Sequence, residues 1–501
     1  MSNKIYPIGI QNFEKIRNDG YFYIDKTALM YQMVKTGSYY FLSRPRRFGK
    51  SLLISTLEAY FQGKKELFEG LAVEKLEKDW IKHPILHLDL NIEKYDTPES
   101  LDKILNDNLE YWESQYGTRP SETSFSLRFA GIIQRACEKT GQRVVILVDE
   151  YDKPMLQAIG NEELQKQFRN TLKPFYGALK TKDGYIKFAL LTGVTKFGKV
   201  SVFSDLNNLD DISMWNEYVE ICGVSEREIH ENLEAELHEF AAARGITYDK
   251  LCEDLRECYD GYHFTHNSIG MYNPFSLLNA FKRKEFGSYW FETGTPTYLV
   301  KLLKKHHYDL ERMAHEETDV QVLNSIDSES TNPIPVIYQS GYLTIKGYDE
   351  EFGMYRLGFP NREVEEGFIR FLLPFYANVN KVESPFEIQK FVREVRSGDY
   401  NSFFRRLQSF FADTTYEVIR DQELHYENVL FIVFKLLGFY TKVEYHTSEG
   451  RIDLVLQTDK FIYIMEFKLN GTAEEALQQI NDKHYALPCL LYTSPSPRDR
   501  G

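Results

Sequence analysis

The residues that decide the fold are RPRRFGKS, positions 44–51. They follow an apolar run, YYFLS, and precede the helical pattern LLISTLEAYF. A strand, a tight basic turn and a Gly-Lys-Ser triplet at a helix start form the layout of a phosphate-binding loop, although the consensus has glycine where Arg44 stands. In such a loop, backbone N–H groups of the turn and of the first helical turn contact phosphate oxygens. Here these groups belong to Arg46, Arg47, Phe48, Gly49, Lys50, Ser51 and Leu52.

Two side chains of this loop carry further chemistry. We expect the ammonium of Lys50 to reach the β- and γ-phosphates of a nucleotide and the hydroxyl of Ser51 to ligate Mg²⁺. The loop alone is a weak signal, because one position departs from the consensus. A second motif, which lies about a hundred residues further on, strengthens it.

The second motif is VVILVDEYD, residues 144–152. An apolar, mostly β-branched run leads directly into acids, as in a strand that is buried on both faces and ends at a ligand crevice. We expect Asp149 to hold Mg²⁺ through water, opposite Ser51, and Glu150 to orient and deprotonate the attacking water. The alternative is a buried strand that ends in a solvated acidic turn. The order of the two motifs favours nucleotide binding.

A third strand pattern, KFALLTGVT at residues 187–195, ends in small polar residues. Thr192 or Thr195 is a candidate sensor of the γ-phosphate, with a plain turn-forming role as the alternative. Strands that alternate with helices predict an α/β fold, in which a mainly parallel sheet carries helices on both faces.

The composition bounds the remaining possibilities. The 501 residues are enough for roughly two to four domains. A net charge of −14 excludes a protein that coats nucleic acid by bulk charge, so any contact with DNA must be local. The sequence has no apolar run as long as a membrane span and no signal-peptide core, and its cysteines lack C-x-x-C spacing. We therefore expect a cytoplasmic protein without membrane contact.

Several separate segments, taken in order, resemble one family. They are YFYIDKT, FLSRPRRFGKS, VVILVDEYDKP, LLTGVTKFGKVSVFSDLNNL and YDGYHF. Together they resemble the AAA-ATPase-like proteins of bacteria, in which the ATPase domain is coupled to a C-terminal nuclease-fold domain of the PD-(D/E)XK superfamily. The resemblance implies ATP as the nucleotide, phosphate binding at Gly49, Lys50 and Ser51, and an acidic pair at Asp149 and Glu150.

A second chemical centre lies near the C-terminus. GRIDLVL (450–456) and KFIYIMEFKL (460–469) are alternating strand patterns that carry Asp453, Glu466 and Lys468. Residues i and i+2 of a strand share a face, and a hairpin can bring Asp453 beside the other two. Two carboxylates beside an ammonium suit Mg²⁺, which lowers the pKa of bound water, while the lysine positions that water. A surface hairpin with alternating charges is the alternative.

The resemblance favours the metal site, since a strand-forming GRID followed by E-x-K is the signature of the PD-(D/E)XK fold. It implies an acidic ligand on the preceding helix, which is Glu423 with Glu427 as the other candidate. It also implies that Gln479, on the following helix with Lys483 and Tyr485, contacts metal-bound water or the DNA backbone. Every residue type of the catalytic set is present, so we expect an intact site; a retained fold that does not cleave is the alternative.

These patterns predict four regions. They are an AAA-ATPase-like P-loop domain at 1–223, a helical lid or winged-helix-like middle at 224–377, a nuclease-like domain of restriction-endonuclease-like α/β fold at 378–488, and a tail at 489–501 that resembles non-native read-through. The stretch YFYIDKTALMYQMV predicts an N-terminal helix that covers the sheet, with Asp25 as its cap. We expect the aromatic residues of the middle region to pack rather than to stack on bases. The basic residues Arg393, Arg396, Arg405 and Arg406 form either a solvated helix face or a phosphate contact.

The predicted function is ATP binding with hydrolysis, in which the nucleotide state gates a Mg²⁺-dependent nuclease-like domain acting on nucleic acid. The alternative is a nucleotide-controlled switch or scaffold whose last domain binds a partner without cutting. A homo-oligomer, with an arginine supplied by a neighbouring subunit, is compatible with both.

Overall fold

The structure is a computed structural model. It describes residues 4–196, 202–203, 206, 208–291, 297–324, 332–377, 380, 383–411, 419–448, 451–468, 472, 474–475 and 477–478. The predictions for Gln479, Lys483, Tyr485 and the 489–501 tail lie outside these residues.

The described helices and strands alternate along the first half of the chain and then become mainly helical. The α-helices α1 to α18 are Phe13–Asn18, Thr27–Thr36, Lys50–Phe61, Ala72–Leu76, Pro98–Tyr116, Phe125–Thr140, Lys153–Gln157, Glu162–Thr181, Glu226–Arg244, Tyr248–Tyr259, Pro274–Arg283, Thr297–Lys305, Val320–Asn324, Ile334–Gln339, Arg362–Tyr376, Ser384–Ser397, Tyr400–Phe411 and Ile419–Gly438. The strands β1 to β13 are Tyr39–Ser43, Ile85–Asp89, Val144–Asp149, Ile186–Gly193, Asp210–Asp211, Val224–Ser225, Met271–Tyr272, Glu317–Asp319, Thr344–Asp349, Met354–Gly358, Lys442–Ser448, Arg451–Gln457 and Ile462–Lys468.

The N-terminal sheet is parallel and has the strand order β2-β3-β4-β1-β5. Every residue of β3 is buried, whereas β2, at the end of this order, alternates between buried and half-buried positions. The predicted α/β architecture is confirmed. Since parallel strands end at the same edge, the carboxyl ends of β1, β3 and β4 meet in one crevice.

Local signals fix the long helices beside this sheet. Pro98 occupies the first turn of α5, where its missing N–H is harmless, and Gly117 ends that helix. Ser124 caps α6 through a bond to the Leu127 N–H, and the left-handed Gly141 ends it. Both helices bury one stripe of apolar side chains, as amphipathic helices on a sheet do.

The middle region combines helices with a small antiparallel sheet of order β8-β10-β9. A capping box between Ser225 and Glu228 starts α9, and α9, α10 and α11 share an apolar core. The pattern VIYQSGYLTIKGYD, residues 336–349, predicts a hairpin or wing, and its last six residues form β9, which pairs with β10. The first residues of that segment, 336–339, belong to helix α14 instead, and most residues of this helix are buried.

By internal contacts, the chain divides into two compact units. The first comprises Met1–Leu299 and His315–Val364, and the second comprises Val300–Ala314 and Glu365–Gly501. The first unit continues through residue 223, where the sequence suggested a domain boundary, and the predicted boundaries stay predictions. Among the described helices, none combines the length and the apolar character that a bilayer crossing requires.

Candidate functional site

The loop at residues 44–51 joins β1 to α3 and leaves the start of that helix open. Gly49 stands before the first helical residue with φ of +95°, in the region that favours glycine, and no side chain in the described part of the chain caps the helix there. Arg47 also has a positive φ, of +67°. The uncapped N–H groups and the positive end of the α3 dipole form a site that attracts an anion such as a phosphate.

The Lys50 ammonium is held by the loop itself. Its Nζ donates to the carbonyls of Arg44 at 3.1 Å and Pro45 at 3.4 Å, and it lies 3.4 Å from a carboxylate oxygen of Glu150. Only 4 % of the Lys50 side chain is exposed. All three partners of the ammonium are acceptor oxygens. Phosphate oxygens are acceptors of the same kind, so the Lys50 ammonium fits the phosphates of a nucleotide.

The acidic pair stands at the end of β3, in the crevice that the strand ends form. Asp149 is buried, and its Oδ1 accepts a hydrogen bond from the Thr192 hydroxyl on β4 at 2.5 Å. Glu150 has a left-handed backbone, φ +54°, which is strained for a non-glycine residue. Thr192 therefore positions Asp149, and the role of Thr192 or Thr195 as a sensor of the γ-phosphate stays a prediction.

Two further acids lie beside this pair, and sequence reasoning missed both. Asp89 is the register partner of Asp149 on β2, and burial together with the charge of Asp149 raises the pKa of Asp89. Asp152 is fully buried and accepts bonds from the N–H and the hydroxyl of Thr195, at 2.6 and 2.7 Å. Asp152 thus ties the end of β3 to the loop after β4. The sequence shows an acid at the end of VDEYD, but it does not show that this acid is buried.

Burial, and then the charge of Glu150, raises the pKa of Asp152 from its ordinary 3.8 to about 7. The folded state consequently keeps a proton that the unfolded state releases, so stability falls as the pH rises from about 4 to about 7, by about 1.4 kcal/mol per pH unit. We expect Asp152→Asn, which cannot ionise, to lose less stability than the wild type between pH 5 and 7. Urea unfolding at both pH values measures this difference. Equal losses in the two proteins would contradict it, and the exposed Asp249→Asn serves as the control.

Arg44 explains why the loop departs from the consensus. Its φ is not positive, so the backbone does not require glycine there. The guanidinium is buried, donates to the carbonyls of Ser43, Ser213 and Tyr218, and lies 4.0 Å from the Phe264 ring centre. Burial lowers the pKa of Arg44 to about 10, which still leaves it charged at neutral pH. The buried Arg44 side chain therefore anchors the loop to the segment of Ser213 and Tyr218 and is not part of the predicted phosphate site.

Aromatic residues of the middle region pack directly on the loop. The Arg46 guanidinium lies 4.5 Å from the ring centre of Trp290, whose indole N–H donates to the Arg46 carbonyl at 3.0 Å. Arg47 lies 5.0 Å from the ring of Phe275, and Phe48 meets the ring of Tyr262 edge-on. The prediction that these aromatic residues are packing residues is confirmed. The side chains of Arg46, Arg47 and Phe48 take part in this packing.

An apolar cavity of about 110 Å³ adjoins the start of α3. Its walls come from the N-terminal segment, the loop and the region after residue 220, and they include Phe22, Ile24, Phe48, Leu52, Cys222 and Pro274. A concave, apolar space next to a phosphate site is suited to a flat, weakly polar group attached to that phosphate.

The IDKT segment, whose role the sequence left open, cross-links elements around this cavity. Asp25 accepts hydrogen bonds from the N–H groups of Thr27 and Ala72, the first residues of α2 and α4, whereas Lys26 occupies the N-cap position of α2. Lys26 forms a 2.5 Å ion pair with Glu228 of α9. These contacts give the segment a structural role.

The predicted C-terminal metal site lies on a three-stranded sheet whose register sets its residues opposite one another. Strands β11, β12 and β13 form an antiparallel sheet in this order, and Asp453 stands directly opposite Glu466. Leu454 and Leu456 are buried, so Asp453 occupies the other face of β12. Glu466 and Lys468 occupy that same face of β13, which agrees with the predicted constellation. Glu423 lies on α18, which precedes this sheet.

The basic helix residues are partly engaged within the second unit. Arg406 forms ion pairs with Glu387 and Glu394, and Arg396 donates to the Tyr440 carbonyl at 2.7 Å. Arg393 and Arg405 are exposed. These contacts favour a mainly structural and solvated helix face over a phosphate-binding surface.

Comparisons with known proteins match the two parts of the chain that contain these candidate sites. The sequence model described as "Predicted AAA-ATPase" matches residues 7–203, and that of the PD-(D/E)XK nuclease superfamily matches residues 421–491. An "Uncharacterized protein in vnfD 5'region" of Azotobacter chroococcum mcd 1 is 36 % identical over 502 aligned positions, which cover 97 % of this chain and 94 % of that protein. No solved structure matches. The chain therefore belongs to the family of predicted AAA-ATPases that carry a PD-(D/E)XK nuclease superfamily domain at the C-terminal end.

Proposed function

We propose that the chain binds and hydrolyses ATP at the loop of residues 44–51 and that its nucleotide state gates a metal-dependent nuclease domain acting on nucleic acid. One observation carries the ATPase part of this proposal. Among the described residues, the Lys50 ammonium contacts oxygens of two loop carbonyls and Glu150, beside a helix start that none of the described side chains caps. Phosphate oxygens can take the place of those partners around the ammonium.

The residues of the crevice then take distinct roles. Lys50 moves from the Arg44 and Pro45 carbonyls to the phosphates, which releases Glu150 to orient the attacking water and to accept its proton. Ser51 and Asp149 hold Mg²⁺, and Thr192 keeps Asp149 in place. Mg²⁺ supplies charge neutralisation between the phosphates. The base of ATP occupies the apolar cavity beside Phe48 and Leu52.

The nuclease part rests on the second unit. Asp453 and Glu466 hold the metal, Lys468 positions the attacking water, and Glu423 and Gln479 support the site as the superfamily resemblance implies. The register that places Asp453 opposite Glu466, with Lys468 two residues on, supports these roles. Mg²⁺ at this site activates the water and polarises the phosphodiester.

Gating has a physical starting point in the first unit. The loop that would receive the phosphates packs on Trp290 through Arg46, so a change in the loop reaches the middle region directly. Lys196, just after β4, bonds to Gln339 and Asn324 in the same region. We infer that ATP binding changes these contacts and thereby the activity of the nuclease domain.

Glu150→Gln separates ATP binding from hydrolysis. We expect this variant to bind ATP and to hydrolyse it at least about 100-fold more slowly, because general-base catalysis contributes about 10²–10⁴-fold. Its plasmid cleavage should differ between ATP and nucleotide-free conditions, as measured by gel electrophoresis. Glu163→Gln, an exposed acid on α8, is the matched control.

Equal cleavage in all nucleotide states would contradict gating. Loss of cleavage in every condition, with ATP hydrolysis retained by the wild type, would instead favour the nucleotide-controlled switch whose last domain binds a partner without cutting.

A further inference from the structure

His446 lies in the same row of the C-terminal sheet as the two predicted metal-binding carboxylates. It is the register partner of Asp453 on β11, and Asp453 is the register partner of Glu466 on β13. The three positions therefore follow one another straight across the sheet. In an antiparallel sheet, directly opposed residues are about 4.5–5.5 Å apart at Cα.

This row belongs to the face away from the buried core of the sheet. Leu454 and Leu456, on either side of Val455 in β12, are buried, whereas Val455 is half-buried and Gln457 is exposed. Because directly opposed residues share a face, His446 and Glu466 occupy the same face as Asp453. The next row on this face is Ser448, Arg451 and Lys468. These register positions on one face thus belong to a histidine, two acids, an arginine, a serine and a lysine.

We propose that His446 is a third protein ligand of the nuclease metal and that the site consequently prefers Mn²⁺ or another first-row transition metal to Mg²⁺. This inference rests on the proposed nuclease function and specifies its metal. Mg²⁺ takes oxygen ligands and keeps most of its water, whereas imidazole suits transition metals. A row with one imidazole and two carboxylates therefore offers a mixed nitrogen and oxygen set, which the predicted Asp453 and Glu466 pair alone would not.

Metal binding by the full chain without nucleotide tests this directly. Isothermal titration with MnCl₂ and with MgCl₂ compares the wild type, His446→Ala and the Asp453→Ala/Glu466→Ala pair. We expect His446→Ala to weaken Mn²⁺ binding by at least about 10-fold and Mg²⁺ binding by much less. The Asp453→Ala/Glu466→Ala variant should lose binding of both metals at this site. His238→Ala, an exposed histidine of the first unit, is the matched control.

A second variant guards against a folding defect. His446→Asp restores a ligand but supplies oxygen, so it should recover metal binding with the preference moved towards Mg²⁺. If His446→Ala keeps the wild-type Mn²⁺ affinity while the Asp453→Ala/Glu466→Ala variant loses metal binding, the role of His446 is overturned but the proposed nuclease site is not. Identical metal binding by the wild type and the Asp453→Ala/Glu466→Ala variant would overturn both this inference and the proposed nuclease site.

Discussion

Lys50→Ala should weaken ATP binding by about 10- to 100-fold and reduce ATP hydrolysis to background. The lost interaction is a charge-assisted bond to phosphate, which is worth about 1.5–3 kcal/mol, and each 1.4 kcal/mol is tenfold in affinity. The effect on hydrolysis is larger, because the ammonium also neutralises charge that develops on the transferred group. Equilibrium binding of labelled ATP and phosphate release under saturating Mg²⁺ measure the two effects separately.

The control for this prediction is Lys103→Ala. Lys103 is a lysine of α5 with 65 % of its side chain exposed, paired with Glu93 on the surface. It should leave binding and hydrolysis unchanged. Thermal unfolding of both variants checks that Lys50→Ala stays folded, since its removal leaves Glu150 without that partner. Wild-type ATP turnover in a folded Lys50→Ala protein would overturn the loop assignment.

The Asp453→Ala/Glu466→Ala variant should lose nucleic-acid cleavage by about 100-fold or more and keep full ATP hydrolysis. Removal of outer-shell groups around a metal already costs about 10–100-fold, and these two residues are the proposed ligands themselves. ATP hydrolysis is spared because the loop and its acids belong to the first unit. Plasmid cleavage and phosphate release, assayed on the same preparation, give the two numbers.

Asp459→Ala is a matched substitution in the same hairpin. Asp459 is an exposed acid of the turn between β12 and β13, where Thr458 bonds to Phe461. It should cleave at the wild-type rate. Cleavage by the double variant at the rate of Asp459→Ala would place the nuclease chemistry elsewhere in the chain or outside it.

Periodicity and turn residues carried most of the information about the first unit. The apolar spacing predicts helices from Pro98 to Tyr116 and from about Glu162, and α5 and α8 occupy those positions. The buried run before Asp149 is the fully buried strand β3. Such elements are predictable because apolar spacing, proline and glycine act locally.

Long-range packing was not visible in the same way. Nothing in RPRRFGKS indicates that Arg44 is buried under the loop or that Trp290, 244 residues beyond Arg46, packs on it. Likewise, the burial of Asp152 depends on the loop after β4 rather than on its own neighbours in sequence. These features arise from tertiary contacts, which neither residue type nor spacing encodes.

The C-terminal site shows an intermediate case. The i, i+2 spacing placed Glu466 and Lys468 on one face, but only the strand register sets Asp453 and His446 opposite them. Register depends on which strands pair, so His446 carried no signal in the sequence alone.

The most direct test of the account is plasmid cleavage by the wild type and by Lys468→Ala, with Mg²⁺ or Mn²⁺, in the presence and absence of ATP. We predict metal-dependent cleavage that changes with ATP and that Lys468→Ala abolishes, while both proteins hydrolyse ATP equally. Cleavage that persists in Lys468→Ala, or that is the same with and without ATP, would contradict an ATPase that gates a nuclease.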